Sequence, residues 1–448
     1  MTEVTGSTRR RRLLFIVYEF PPSAGGGVQR VTKFARYLTE EGWDVRVLSA
    51  ELLPGRPQDP TLLSEVRGVP VVRLKARHVA TAIARMLAPF KGLRSSAKPA
   101  GSTDSMSETG TGKPAARPLS SRLARWIAMP DDAVLWSRSV PAHARRLHQE
   151  EPFDAVLASG PPYSALVAGV RTGESLGIPA VSDLRDLWAN SFRSDWPRAA
   201  QARRYLALER EVMTKSTAVV TASEVMEAEA REMGASRTMV LTNGFDAEDM
   251  PVWSPSPEGP LRLAFLGRLS PGATDPTLLF KALARARGRY GPMGECRLDI
   301  VGPDAPWAQE LARQLGIDDA VRFLGFKPYR EALDLVAVAD WGVSVFESGP
   351  GSVGHYPGKL FDYLGIGIPL LVVGSEDSGA AAVARETGCG VVIATGDVDE
   401  AADILISLAR AKRSGAAPCV PDPAVSARYE RRAQVHRLSA LLSEVVGG

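Results

Sequence analysis

The stretch that decides the reading is residues 346–374, FESGPGSVGHYPGKLFDYLGIGIPLLVVG. Glycines and prolines crowd its first half, which excludes regular structure and lets backbone amides approach a ligand closely. Pro357 suits the first turn of a helix, where its missing N–H costs nothing. Leu360, Tyr363 and Leu364 then recur at helical spacing and leave Lys359 and Asp362 to face elsewhere. Gly365 and Gly367 end the helix, and Ile368–Val373 is a continuous apolar run, as in a strand covered on both faces. A helix N-terminus presents free N–H groups and positive partial charge, so the glycine loop and Lys359 together suit a phosphate. Asp362, one turn further on, suits two neighbouring hydroxyls such as those of a ribose. The competing reading is a glycine-rich loop before an ordinary amphipathic helix.

The same alternation runs upstream. Leu13–Tyr18 is an apolar strand, followed by FPPSAGGG, a helix with Val28, Val31, Ala35 and Leu38 on one face, and the strand Asp44–Ser49. Such a unit is parallel. Gly25, Gly26 and Gly27 fall at the carboxyl end of the first strand, where open α/β sheets bind ligands. The loop is not G-x-G-x-x-G, and no acidic residue at the right distance supports a dinucleotide. An anion or sugar site competes there with a plain tight turn. Val69–Leu74, Asp154–Ser159, Pro179–Ser182, Ala218–Ala222 and Met239–Thr242 read as further strands. After Ser159 the turn Gly160–Pro161–Pro162 enters a helix beginning near Tyr163. After Ser182 come Asp183, Arg185, Asp186 and Trp188, crowded at a strand's carboxyl end and bound either to one another or to a ligand.

Glu248–Pro260, with four prolines after Met250, reads as a linker. Beyond it the alternation starts again with Leu261–Leu266, Arg297–Val301, Val321–Leu324 and Trp341–Val345. Arg268 lies just past the first of these strands. Gly325 and Phe326 offer a backbone edge and an aromatic flank suited to a nucleobase, or simply a strand-to-helix turn. The expected fold class is α/β, two doubly wound Rossmann-like parallel-sheet domains facing across a cleft. The expected divisions are 1–252, 253–422, and a C-terminal helix at 423–448 crossing back to the first domain. Residues 91–117 are nearly free of large apolar side chains and are expected to form an insertion without fixed structure.

The chain has 448 residues, 45% hydrophobic and 23% charged, and a formal net charge of +3. That charge is too small to argue for nucleic acid. Five histidines and three cysteines form no metal-ligand pattern. Cys296, Cys389 and Cys419 read as free thiols in a reducing compartment. No apolar run approaches the roughly 20 residues that span a bilayer. A cytoplasmic protein is expected, touching a membrane only if its acceptor is lipid-linked.

Taken together, these segments resemble the retaining glycosyltransferases of the GT-B fold, in particular family 4. FPPSAGGGVQRVTKFARYLTEEGWDVRVLS is similar to the family's opening strand, glycine loop and helix, and FLGRLS to its Gly-Arg signature. FLGFKPYREALDLVAVAD resembles the nucleobase-side loop and helix. PGKLFDYLGIGIPLL resembles the carboxylate-bearing helix, with Asp362 where the family usually has Glu. SGPPYSALVAG and VSDLRDLW are similar to cleft-lining segments of one branch. The chain departs from the pattern at Gly354, where the family often has a first glutamate. It departs again at DLRD, where many members have a histidine, and at GATD, which lacks the usual lysine.

The resemblance implies a retaining, metal-independent transfer of a sugar from a nucleotide diphosphate sugar, with UDP or GDP as the carrier, to a small-molecule or glycan acceptor. It implies no cofactor and no metal. Arg268 and Lys359 are then the cations facing the diphosphate, and Asp183 or Asp186 the group acting on the acceptor. Donor contacts are expected at Gly26, Gly27, Gly325 and Phe326. Further donor contacts are expected along Gly354, His355, Tyr356, Pro357 and Gly358, and at Leu360 and Asp362. Acceptor contacts are expected at Phe20, Gly25, Gly160 and Pro161, and at Tyr163, Arg185 and Trp188. Two other readings remain: a non-catalytic nucleotide-sugar-binding accessory protein, and a sugar-nucleotide epimerase of the same fold.

Overall fold

The computed structural model describes residues 10–52, 58–76, 128–188, 199–291, 295–345, 356–394, 396–416 and 419–447. The insertion expected at 91–117 lies outside the described residues. The chain divides into two compact units, Met1–Leu241 with Gln434–Gly448, and Thr242–Ala433.

The first unit opens with β1 (Arg12–Val17), α1 (Gly26–Glu40), β2 (Asp44–Ala50), α2 (Leu62–Glu65) and β3 (Val71–Leu74). It continues with α3 (Val134–Ser137), α4 (Val140–Glu150), β4 (Ala155–Gly160), α5 (Tyr163–Leu176) and β5 (Ala180–Leu184). Then come α6 (Ala199–Lys215), β6 (Ala218–Thr221), α7 (Glu224–Glu232) and β7 (Thr238–Val240). All seven strands are parallel, in the order β3-β2-β1-β4-β5-β6-β7. A sheet covered on both faces needs continuous apolar strands, and Leu13, Leu14, Phe15 and Ile16 of β1 are all fully buried.

The second unit runs β8 (Leu261–Leu266), α8 (Thr277–Tyr290), β9 (Cys296–Val301), α9 (Pro306–Gln314) and β10 (Val321–Gly325). It goes on with α10 (Tyr329–Ala337), β11 (Trp341–Val345), α11 (Gly358–Ile366), β12 (Leu370–Val373) and α12 (Gly379–Glu386). It ends with β13 (Gly390–Ile393), α13 (Val398–Arg413) and the short α14 (Pro423–Ser426). Its six strands are parallel in the order β10-β9-β8-β11-β12-β13. The last helix, α15 (Arg431–Gly447), belongs to the first unit from Gln434 onward. There its Val435, Leu438, Leu441 and Leu442 share a core with α1 and β1, and Ser439 accepts a hydrogen bond from the Trp43 indole at 3.0 Å.

Three expectations change. The chain passes between units at Leu241–Thr242, upstream of residue 252, because the proline-rich run is held inside the second unit. There Trp253 donates to the Ala339 carbonyl at 2.8 Å and Ser254 to Ala337 at 2.9 Å. The return passage likewise comes later than 423, since the Phe245 amide donates to Tyr429 at 3.1 Å and the Arg431 amide to Phe245 at 2.8 Å. Cys389 and Cys419 are joined as a disulfide, with Cα atoms 5.6 Å apart, and only Cys296 is free and buried. The case for a reducing compartment from three free thiols falls with that pairing. Among the described residues no helix is long and apolar enough to cross a membrane.

One side chain holds α11 over the junction of β8 and β11. The Tyr363 hydroxyl accepts from the Leu266 amide at 2.9 Å and donates to the Val343 carbonyl at 3.1 Å. The ring lies where a side chain on β11 would otherwise stand, since a Cβ on Gly342 would come within 2.6 Å of it. Gly342→Ala is therefore expected to destabilise the protein by about 1–3 kcal/mol through overpacking, read as a lower urea midpoint. An unchanged midpoint would show that Tyr363 does not fix this junction.

Candidate functional site

Open parallel sheets bind ligands outside the carboxyl ends of the strands where the winding direction switches. In the second unit that point lies between β8 and β11. Just past β8, Gly267 adopts φ 119°, and its carbonyl comes within 2.0 Å of where a Cβ on Gly302 would be, so both positions need glycine. Arg268 follows. It is exposed, and among the described residues its guanidinium forms no ion pair.

Lys359 comes one turn before Tyr363 on α11, and the anchoring of that helix carries its ammonium to the same strand end. The Nζ atom lies 3.6 Å over the centre of the Phe265 ring and 3.7 Å from where a Cβ on Gly267 would stand. That nitrogen is buried and, among the described residues, has no hydrogen-bond partner. A buried ammonium without an anion is costly, and the ring face offsets only part of that cost. Burial accordingly pushes the Lys359 amine down to about 7. The N-terminus of α11 lies beside it, preceded by Pro357, with no side-chain cap and no acidic residue in the first turn. Its free amides add further positive potential.

Asp362 is buried, and its Oδ1 accepts a hydrogen bond from the Tyr329 hydroxyl at 2.6 Å. Burial pushes its carboxyl up to about 6, against the opposing effects of Tyr329 and the charge of Arg431. Gly325 has φ 73°, and its carbonyl accepts from Gly302 at 3.1 Å. The next residue, Phe326, is 57% exposed, an unusual position for a large aromatic. Tyr356 accepts a hydrogen bond at its carbonyl from Asn243, at 3.3 Å, which fixes the approach to Pro357 and Gly358. Leu360 differs from expectation. Its side chain is wholly buried among Phe361, Leu364 and their neighbours, and its amide bonds to Pro357, so neither is turned to a ligand. Gly354 and His355 lie outside the described residues.

In the first unit the switch point lies between β1 and β4. Gly25, at φ 138°, precedes α1, and Gly26 and Gly27 form its first turn. Arg185 joins three loops: Nε donates to Gly160 at 3.1 Å, Nη1 to Gly27 at 2.8 Å, and Nη2 to the Pro161 carbonyl. Gly27 is required for this, because a Cβ there would meet the guanidinium at 2.2 Å. Asp183 is fully buried. Arg30 grips it at 2.7 and 3.2 Å, and the Ser159 hydroxyl donates to it at 2.7 Å. Asp183 is thus a brace between α1, β4 and β5, whereas Asp186 is partly exposed. Trp188 and Phe20 are fully buried. Trp188 stacks on Tyr163 with centroids 4.6 Å apart, and the Tyr163 hydroxyl donates to Leu187 at 2.6 Å. Tyr163 and Trp188 support the loop after β5 from within the core, while Phe20 packs with α1 and β1 in a separate cluster.

Two family models cover most of the chain. Residues 25–244 match a glycosyl transferase 4-like domain, and residues 260–411 match the glycosyl transferases group 1. The chain belongs to the GT-B glycosyltransferases and resembles family 4. Solved structures agree on the fold. Sucrose-phosphate synthase from Thermosynechococcus elongatus is 13% identical, with TM-score 0.60 over 97% of this glycosyltransferase and 99% of that chain. HepE from Anabaena, solved in complex with UDP-glucose, is 16% identical, with TM-score 0.61 over the same shares. AviGT4, a glycosyltransferase involved in avilamycin A biosynthesis, is 16% identical, with TM-score 0.50 over 98% of both chains. No curated protein matches the chain.

Sequence reasoning about this glycosyltransferase missed Arg30, Phe265 and Tyr329. Arg30 had a signal, since a carboxylate at the end of an apolar strand requires a cation nearby. Phe265 and Tyr329 had none, because each acts through a contact distant in sequence.

The state of Lys359 can be read from stability. Its amine is lowered from the ordinary 10.5 to about 7, so between those values the unfolded chain holds more protons than the folded one. Stability then rises with pH across that window. Relative to Lys359→Met, the wild type is expected to gain stability between pH 7 and pH 10 in urea titrations. A constant difference would mean that the amine is not desolvated.

Proposed function

We propose that the chain is a retaining, metal-independent glycosyltransferase that takes its sugar from a nucleoside diphosphate sugar. The observation that carries this reading is the Lys359 ammonium, buried and, among the described residues, without an anion, beside Gly267–Arg268 and the uncapped end of α11. A diphosphate supplies the missing anion. Arg268 can hold two of its oxygens at once in a planar fork. Asp362, one turn along α11, receives the ribose hydroxyls, and exposed Phe326 with Gly325 receives the base. UDP-sugars are the first donors to try, given the UDP-glucose held by HepE.

In the reaction the bond from the anomeric carbon to the phosphate oxygen breaks, and the diphosphate leaves with the electron pair. The acceptor oxygen bonds to the same face of the sugar and gives its proton to the departing phosphate. Fixed cations stabilise the charge that develops on the leaving group. The acceptor falls to the first unit, where Asp186 and the loops tied together by Arg185 are the groups in reach of solvent. The acceptor is a glycan or a natural-product core.

A panel of UDP- and GDP-sugars, each with and without glycan and natural-product acceptors, tests this. Nucleoside diphosphate released only when both substrates are present supports transfer, and the anomeric coupling of the product reports retention. An epimeric nucleotide sugar would mean an isomerase, and binding without turnover an accessory protein. Arg268→Ala is expected to lower kcat about 10²–10³-fold with the fold intact; unchanged turnover removes it from the site. Asp362→Ala is expected to weaken nucleotide binding, and unaltered affinity would refute the ribose contact.

A further inference from the structure

We infer that Tyr329 is a positioning residue for the nucleoside: its hydroxyl holds one oxygen of Asp362 so that the other is presented to the ribose. The inference rests on the donor reading above and adds a residue to it. Tyr329 opens α10, three residues after the exposed Phe326, so one loop carries both an outward aromatic and an inward phenol. The phenol is held well above its ordinary value by burial and by the charge of Asp362. It therefore stays protonated, and across the 2.6 Å contact it is the donor and Oδ1 the acceptor. Among the described residues Oδ2 has no hydrogen-bond partner. A carboxylate free to rotate would offer either oxygen in several orientations; one pinned by a phenol offers a single oxygen in a fixed direction. Preorganisation of this kind lowers the entropy lost on binding.

The charged and titratable groups around Asp362 are few. Tyr329 faces it from α10 and Arg431 from the start of α15, while Asp249, itself paired with Arg330, acts from the turn after Phe245. Lys359 and Tyr363 share its helix. Of these, Tyr329 is the one hydrogen-bonded to the carboxylate among the described residues.

The test compares UDP with 2′-deoxy-UDP by calorimetric titration between pH 5 and pH 8, for the wild type, Tyr329→Phe and Asp362→Asn. The wild type should prefer UDP and lose that preference as pH falls through about 6. Tyr329→Phe should shrink the preference at least threefold and move its midpoint upward, since a hydrogen bond favouring the carboxylate is gone. Asp362→Asn should abolish the pH dependence. A Tyr329→Phe protein with wild-type preference and midpoint overturns the inference while leaving the donor site standing. No preference in the wild type and no effect of Asp362→Asn removes the ribose contact, and the inference with it. Should Tyr329→Phe not fold, 3-fluorotyrosine placed at 329 has a more acidic phenol and should lower the midpoint; an unmoved midpoint again overturns the inference.

Discussion

A tyrosine hydroxyl set between two parallel strands determines where the second unit carries the Lys359 charge. Tyr363 bonds to Leu266 of β8 and to Val343 of β11, and Gly342 leaves room for its ring. That contact fixes the height and rotation of α11. Lys359, one turn earlier, then has no choice but to lie over Phe265 at the end of β8, next to Gly267. Asp362, the residue before Tyr363, is turned toward Tyr329 on α10. Cation, helix end and carboxylate follow from one anchored residue, and they gather where the strand order of the sheet switches.

The two units treat buried charge in opposite ways. In the first, Arg30 and Asp183 are both buried and fully engaged with each other, with Ser159 and with the Leu241 carbonyl. Removing either partner of such a pair costs about 3–5 kcal/mol, so this is a device for holding α1 against β5. In the second, the Lys359 ammonium is buried and, among the described residues, meets an aromatic face and no anion. A protein gains nothing in stability from that arrangement. In the function proposed above, it is an affinity held in reserve for the donor's diphosphate.

Much of this was legible in the sequence, for reasons that differ by element. The mainly apolar runs Leu261–Leu266 and Trp341–Val345 coincide with β8 and β11, because a strand covered on both faces is apolar on both, and the single Arg262 and Ser344 do not break the pattern. The final strand, β13, escaped notice: GVVI is four residues long at the edge of its sheet and gives too little pattern to separate from a loop. The proline run after Met250 reads as a linker by composition, yet Trp253 pins it to the second unit, a contact with a residue more than eighty positions away. Asp183 and Trp188 looked like site residues because charge and aromaticity were crowded at a strand end. Burial decides such cases, and it depends on which residue distant in sequence each side chain meets, Arg30 for Asp183 and Tyr163 for Trp188.

The central claim is that cations of the second unit hold a sugar donor's diphosphate. A crystal structure with UDP bound tests it most directly. The account predicts diphosphate oxygens within hydrogen-bonding reach of Lys359 Nζ and the Arg268 guanidinium, at the N-terminus of α11. A diphosphate bound elsewhere, with Lys359 still lying unpartnered over Phe265, would contradict it.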